Sequence, residues 1–366
     1  MTASPRLLDE LPTPALVLDL ARVDRNILRM ATRCRALGVS LRPHLKTHKC
    51  LEVADRQRAQ GAHGVTVSTL VEAQVFAEHG FDDITWAFPV ILNRIPAARA
   101  LAERVTLRLF VDGPDALAAL EREQFPFHVW LKIDCGYHRA GLDPAAPETL
   151  DLARRLAASP HLAFDGIATH SGHAYDAVGC VAIRKVAEAE RRAVADFRSR
   201  LADEGIAVAA SVGSTPAMSC VERLDGVQEA RPGNYVFYDA SQVALGSCTT
   251  VDCGVTVLAS VVSCQPHARH CVVDAGALAL SKDAGHPGPV PSMGWIFDDY
   301  AAGTLREDAR LTGLSQEHGK VSAPLAVGER VRILPNHSCL TVACFDEYIV
   351  VEDDRIVDRW KIWRAR

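Results

Sequence analysis

No Cys-x-x-Cys pair occurs in the 366 residues, although the chain holds 11 cysteines, an odd number. That pattern argues against a disulfide framework and fits the reduced thiols of a cytoplasmic protein. No apolar run reaches the roughly 20 residues that cross a bilayer. The opening stretch, Met1 to Glu10, has charges and Pro5 where a secretory leader would be apolar. No basic block offsets a formal net charge of −5 and a pI near 6.3, so neither nucleic acid nor a membrane is an expected partner. Repeats and low-complexity segments are missing too. What remains is a chain of 48% apolar and 23% charged residues, a composition that buries a core. Its 39.6 kDa suit two domains, or one barrel of roughly 200–250 residues with a smaller partner.

The hydrophobic period switches repeatedly between helical and strand spacing. Residues 21–37 predict an amphipathic helix, with Val23, Ile27, Met30, Ala31 and Cys34 on one stripe and Gly38 closing it. Strands are expected at 39–44, 64–68, 83–87, 106–111, 128–133, 164–169, 208–212 and 227–230, with helical stretches between most of them. Eight such cycles are the arithmetic of a (β/α)8 TIM barrel; a doubly wound open sheet is the competing α/β arrangement. After Val243 the pattern changes to strands and turns, at 255–264, 270–273, 329–334, 348–352 and 355–360, with a Gly/Pro-rich loop at 284–294. This predicts a mainly antiparallel β domain. The expected division is a barrel over 21–246 and a β domain over 247–366, which the opening strand within 12–20 is free to join.

Active sites of barrels collect at the C-terminal ends of the strands. Those ends read Arg42-Pro-His-Leu-Lys46-Thr-His-Lys49, Asp134-Cys-Gly-Tyr-His-Arg139-Ala-Gly141, Thr169-His170-Ser-Gly-His173-Ala-Tyr175, Gly213-Ser214-Thr215-Pro216 and Arg231-Pro-Gly233-Asn234-Tyr235. Small residues after the last two strands are where barrels commonly hold a phosphate. A lysine closing an apolar strand at the barrel mouth is expected to be partly desolvated among cations, which makes Lys46 a candidate nucleophile rather than an ordinary solvated loop lysine. Lysine plus an anion site points to pyridoxal 5′-phosphate, with His170 a candidate to stack on its ring.

A second constellation lies in Pro335-Asn-His337-Ser-Cys339. If this segment is a strand, His337 and Cys339 point to one face. Imidazole and thiolate together prefer Zn²⁺ over Mn²⁺ or Mg²⁺, and two ligands leave positions open for substrate or water. His48-Lys-Cys50 has the same spacing, which is read as accidental.

These segments occur in a fixed order together with Arg231-Pro-Gly-Asn-Tyr-Val-Phe-Tyr-Asp239 and Ser315-Gln-Glu-His-Gly319. From about Leu11 to the C-terminus the chain resembles the D-serine dehydratase and D-threonine aldolase group of fold-type III pyridoxal phosphate enzymes, relatives of alanine racemase, and most of all the zinc-dependent D-serine dehydratases. The resemblance implies an alanine-racemase-like barrel followed by a β domain, usually in a homodimer. It implies a cofactor Schiff base on Lys46, the single catalytic candidate, with Arg139 near the phenolic oxygen and His170 on the ring. Tyr175 joins the cofactor candidates, and Gly213, Ser214, Thr215, Gly233, Asn234 and Tyr235 surround the phosphate. Arg231 matches the arginine that faces the pyridine nitrogen in alanine racemases. The aldolases resemble this pattern with an Asp in place of Cys339, a hard ligand suited to Mn²⁺ or Mg²⁺. Cys339 therefore implies a dehydratase that turns a D-3-hydroxy amino acid, D-serine first, into a 2-oxo acid and ammonia. Retro-aldol cleavage to glycine and an aldehyde, D-threo-3-hydroxyaspartate dehydration and racemisation are the alternatives.

Overall fold

The computed structural model describes residues 10–286 and 290–364. Most of the segment read for a leader, and part of the 284–294 loop, lie outside them. By contacts the chain divides into two compact units. One takes Met30–Lys46 and Ala54–Gly233; the other takes the described residues up to Arg29, Thr47–Val53 and Asn234–Arg364. The chain therefore passes between units at Arg29/Met30, Lys46/Thr47, Val53/Ala54 and Gly233/Asn234, whereas the sequence pattern places a single boundary at 246/247.

In the first unit the strands are β2 (Ser40–Leu41), β3 (Val65–Val67), β4 (Asp83–Pro89), β5 (Thr106–Val111), β6 (His128–Lys132), β7 (Ala163–Ala168), β8 (Ala209–Val212) and β9 (Glu229–Ala230). All pair in parallel, in the order β2-β9-β8-β7-β6-β5-β4-β3. A parallel bridge from His44 to Thr66 joins the ends of that row, so the sheet closes and the open-sheet alternative is out. The connecting helices are α2 (Leu51–Ala59), α3 (Leu70–Glu78), α4 (Ile95–Ala102), α5 (Pro114–Arg122), α6 (Pro147–Ala157), α7 (Gly179–Asp203) and α8 (Thr215–Cys220). Strands enclosed on both faces read as continuous apolar runs. In β5, Leu107, Leu109, Phe110 and Val111 are all buried, which is why that strand matches its expected bounds. Arg42 does not belong to the barrel mouth. Its guanidinium reaches Asp83, the first residue of β4, through two 2.8 Å bonds, and its Nε lies 2.5 Å from Glu229. It ties strands together at the opposite end.

The second unit is a nine-stranded sheet. Its strands are β1 (Ala15–Asp19), β10 (Val255–Cys264), β11 (Cys271–Val273), β12 (Trp295–Asp299), β13 (Thr304–Leu314), β14 (Gly319–Val321), β15 (Arg330–Leu334), β16 (Glu347–Glu352) and β17 (Arg355–Lys361). The order is β11-β14-β13-β12-β15-β10-β1-β16-β17. β1 lies antiparallel to β10 and parallel to β16; all other pairs are antiparallel. Leu11, Val17, Leu258, Ile349 and Val351 form a core cluster there. Three strands escape the periodicity, β12 to β14. In β13 only Ala309 and Leu311 are buried, with Leu305 and Leu314 half-buried at its two ends and charged residues between, so no sustained apolar alternation marks it. The expectation that all cysteines are reduced is also corrected. Cys180 and Cys220 form a disulfide with Cα atoms 5.4 Å apart, and Cys264 and Cys271, opposite each other on β10 and β11, form another. These pairs are made by packing and register, which spacing does not reveal. No described helix is long and apolar enough to cross a membrane.

Candidate functional site

Lys46 does not close a strand. β2 stops at Leu41, and Pro43 has no N–H to extend the ladder. Lys46 sits instead in the 3₁₀ turn Leu45–Thr47, anchored by the buried Leu45. Its side chain is exposed, so the desolvation expected for it is absent. Its place is nonetheless telling, because its ammonium is among the charges acting on His170.

His170 follows β7 and holds its Nδ1 2.6 Å from the carbonyl oxygen of Gly213. A carbonyl only accepts, so Nδ1 carries the proton. Burial first, then Lys46, and further the Lys132 and Arg139 charges, push the His170 pKa well below its ordinary value. The ring is a neutral imidazole. Arg139 is exposed, with its guanidinium 5.1 Å from the centre of the Tyr137 ring, and that ring meets His170 edge-on at 6.3 Å.

Gly213 ends β8 with φ +142°, and a Cβ there would lie 2.7 Å from the Arg231 nitrogen, so only glycine fits. Its carbonyl holds His170 and its N–H donates to Glu190 at 3.2 Å, which leaves Ser214 and Thr215 to offer donors. Both are buried; Ser214 Oγ accepts from the Ala217 N–H and lies 3.4 Å from Ser171 Oγ. Arg231 is buried as well. It donates to the Thr169 carbonyl at 2.6 Å and to Ser211 Oγ, and the Ser211 hydroxyl in turn donates to Glu229 at 2.7 Å. Burial lowers the Arg231 pKa, and the Glu229 and Glu190 carboxylates work against that. Gly233 is buried beyond Arg231, and Tyr175 ends the 3₁₀ turn Gly172–Tyr175, half-buried. An open lysine, a neutral imidazole, a fixed guanidinium and a small-residue loop that a Cβ would fill fit pyridoxal phosphate.

The sequence reading missed two groups here. Lys132, the last residue of β6, is 7% exposed, and burial followed by the Arg231 charge pushes its pKa down to about 7. Glu190, on α7, is 2% exposed. A lysine inside the apolar run Val129-Trp-Leu-Lys132-Ile133 was the available signal for the first.

In the second unit, His337 and Cys339 are not on a strand. His337 is the N-cap of the short helix α11 (Ser338–Val342), after α9 (Ala240–Leu245) and α10 (Ala277–Leu280), and Cys339 lies in its first turn. The two side chains still meet, because an extended His337 (φ −138°, ψ 100°) turns its ring back onto the helix start, where the sulfur hydrogen-bonds it. Asp283 accepts the His337 Nδ1–H at 2.7 Å. Burial alone would lower the His337 pKa; the Asp283 carboxylate and the Cys339 sulfur outweigh it and push it up to about 11. Cys339 Sγ lies 3.3 Å from Thr47 Oγ1 and 3.7 Å from Asn234 Nδ2. Asn234 also donates to Asp239 at 2.7 Å and to Ser338 Oγ at 3.0 Å, and Tyr235 beside it is fully buried. Thr47 is bonded to Lys46, and Asn234 to Gly233, along the chain.

This donor set fits zinc. A histidine whose Nδ1 is held by a carboxylate turns Nε2 toward a metal, which must displace the proton retained there in the metal-free pair, and a thiolate beside it is soft. Among the described residues no group of three or more His, Cys, Asp or Glu side chains is placed to hold a metal ion, so among them the pair alone supplies the protein ligands. The look-alike at residues 48–50 is inert: the Cys50 N–H donates to His48 Nδ1 at 3.1 Å and the thiol to Glu52 at 3.0 Å, both residues being buried. Asp283→Asn is expected to weaken zinc binding about 10- to 100-fold, measured by competition with a chromophoric chelator; unchanged affinity would remove Asp283 from the site.

Residues 18–241 match the model of the alanine racemase N-terminal domain, and residues 254–351 that of a serine dehydratase domain. The D-threo-3-hydroxyaspartate dehydratase of Delftia sp. (strain HT23) is 38% identical, over 96% of this chain and 97% of its own. The D-serine dehydratase of Dictyostelium discoideum is 34% identical, over 97% of each chain. The structure of a D-threo-3-hydroxyaspartate dehydratase cysteine-to-alanine mutant in the metal-free form superposes with a TM-score of 0.93 at 38% identity, covering 99% of this chain and 100% of the other. The chain belongs to the alanine racemase N-terminal domain family, in the form that carries a serine dehydratase domain behind the barrel.

Proposed function

We propose that this protein is a pyridoxal phosphate- and zinc-dependent dehydratase of a D-3-hydroxy amino acid, with D-serine as the first candidate and D-threo-3-hydroxyaspartate the second. The observation that carries the reading is the His337–Cys339 pair backed by Asp283, a soft donor set that favours zinc. When bound, the cofactor would supply an electron sink for the substrate Cα, and zinc a Lewis acid for the β-hydroxyl. The chain's own residues do the rest. Lys46, with an unhindered side chain, holds the cofactor and takes the Cα proton on its amine. His170 stays neutral because burial and the Lys46 charge disfavour its protonated form, and Gly213 fixes its one proton on Nδ1, so it packs on the ring without adding a charge. Arg231 stays cationic under its Glu229 and Glu190 neighbours and presents a donor where the pyridine nitrogen would sit. Ser214, Thr215 and Gly233 shape the phosphate end, and Tyr175 and Arg139 its approaches. Asp283 orients His337, and the Thr47 hydroxyl contacts the Cys339 sulfur. A homodimer and a cytoplasmic setting belong to the same reading.

The test is product analysis with D-serine, D-threonine and D-threo-3-hydroxyaspartate side by side, metal content being measured on the same sample. Ammonia and a 2-oxo acid in equal amounts are expected. Glycine and an aldehyde as the main products would replace the dehydratase by an aldolase, and D-to-L interconversion alone would replace both by a racemase.

A further inference from the structure

Two loops of the barrel unit carry groups assigned to the cofactor: the one after β7 with His170, and the one after β8 with Gly213, Ser214 and Thr215. Neither loop is held by strand pairing, since β7 ends at Ala168 and β8 at Val212. Both are held by one atom. Oε1 of Glu190 accepts the N–H of Ser171 at 2.8 Å and the N–H of Gly213 at 3.2 Å. Ser171 is the residue after His170, and Gly213 the residue before Ser214. The same Gly213 accepts the His170 proton, so carboxylate, glycine and imidazole form a ring of contacts around the loop start.

Glu190 is otherwise hard to account for. It is 2% exposed on α7, where a buried carboxylate is costly unless it is hydrogen-bonded and balanced. Both conditions are met by the cofactor surroundings: two loop amides, and the cations of Lys132 and Arg231, on both of which its charge acts. Nothing in the proposed chemistry asks for an acid at this place. What it does is geometric. α7 is a 25-residue helix, a rigid support, and the carboxylate transfers that rigidity to two loops lacking any ladder of their own.

We infer that Glu190 is a positioning residue of the cofactor site, a clamp that sets the His170 ring and the Ser214–Thr215 donors relative to one another. The inference rests on the cofactor reading given above. Glu190→Ala removes the acceptor of both amides, and charge-assisted hydrogen bonds to buried amides are strong enough that pyridoxal phosphate affinity should fall at least about tenfold. Glu190→Gln keeps an acceptor oxygen of the same reach and should recover most of that loss. The experiment titrates cofactor-depleted wild type, Glu190→Ala and Glu190→Gln with pyridoxal phosphate, following the visible absorbance of the lysine-bound cofactor at a temperature where all three are folded. Amide hydrogen exchange at Ser171 and Gly213 is read on the same cofactor-free proteins and should speed up in Glu190→Ala alone. A merely structural Glu190 would lower the melting temperature and leave affinity and its rescue unmoved. Wild-type affinity in Glu190→Ala, or Gln no better than Ala, overturns the inference. Wild type that takes up no cofactor overturns the cofactor reading instead, and unchanged exchange at the two amides then overturns the clamp separately.

Discussion

Lys46→Ala is expected to stay folded, to lose the visible absorbance of a lysine-bound cofactor, and to lose D-serine turnover by about 1,000-fold or more. Retained folding follows from exposure: the Lys46 side chain leaves no cavity when removed, while the turn is held by the buried Leu45 and Thr47 on either side. The expectation has a real competitor inside the same unit. Lys132 also acts on His170, and its amine, pushed down to about 7, is the better nucleophile at neutral pH. Access decides between them. Lys132 is 7% exposed at the end of β6, with Arg231, Glu190 and Cys135 around it, and a bulky aldehyde cannot reach it without unpacking the barrel. Lys46 stands open. Borohydride reduction followed by peptide mapping separates the two: the label should fall on Lys46, and a label on Lys132 that persists in Lys46→Ala would take residue 46 out of the chemistry.

Removing the metal should have the second largest effect. Dialysis against a strong chelator is expected to lower D-serine turnover at least about 100-fold while the cofactor absorbance stays, and added Zn²⁺ should restore turnover where Mg²⁺ does not. The separation follows from the fold. His337, Cys339 and Asp283 belong to the β unit, whereas Lys46, His170, Gly213 and Arg231 belong to the barrel unit, so stripping one set of ligands leaves the other intact. Cys339→Ala should reproduce the chelated state, with less than one zinc bound per chain. Full turnover in metal-free protein would refute the zinc-assisted loss of the hydroxyl, and cofactor lost together with the metal would refute the independence of the two sets.

Much of this was legible from one-dimensional pattern. Strands buried on both faces write themselves as apolar runs, so the eight barrel strands appear at or within a few residues of their true bounds, and β10 matches end to end. The glycine at 213 announces a tight loop end in the same way, whereas the burial of Arg231 became visible only in the structure. Where pattern failed, the cause was a local one. Pro43 cut the first barrel strand short and put Lys46 on an exposed turn. His337 and Cys339 share a helix start, so their convergence was expected from the wrong period. β13 carries too few buried residues to alternate.

The sequence by itself determined the class of the fold, the succession of its barrel strands along the chain and the residue types able to hold an aldehyde cofactor and a soft metal, because periodicity and side-chain chemistry are local properties. Tertiary structure decided which groups act together. It brought Asp283 to His337, Thr47 to Cys339, and Glu190 to the two loops beside His170 and Ser214, and it paired Cys180 with Cys220. Each of these contacts joins residues 19 to 292 positions apart, and only closure of the barrel and folding of the sheet fix which distant side chains come within hydrogen-bonding reach.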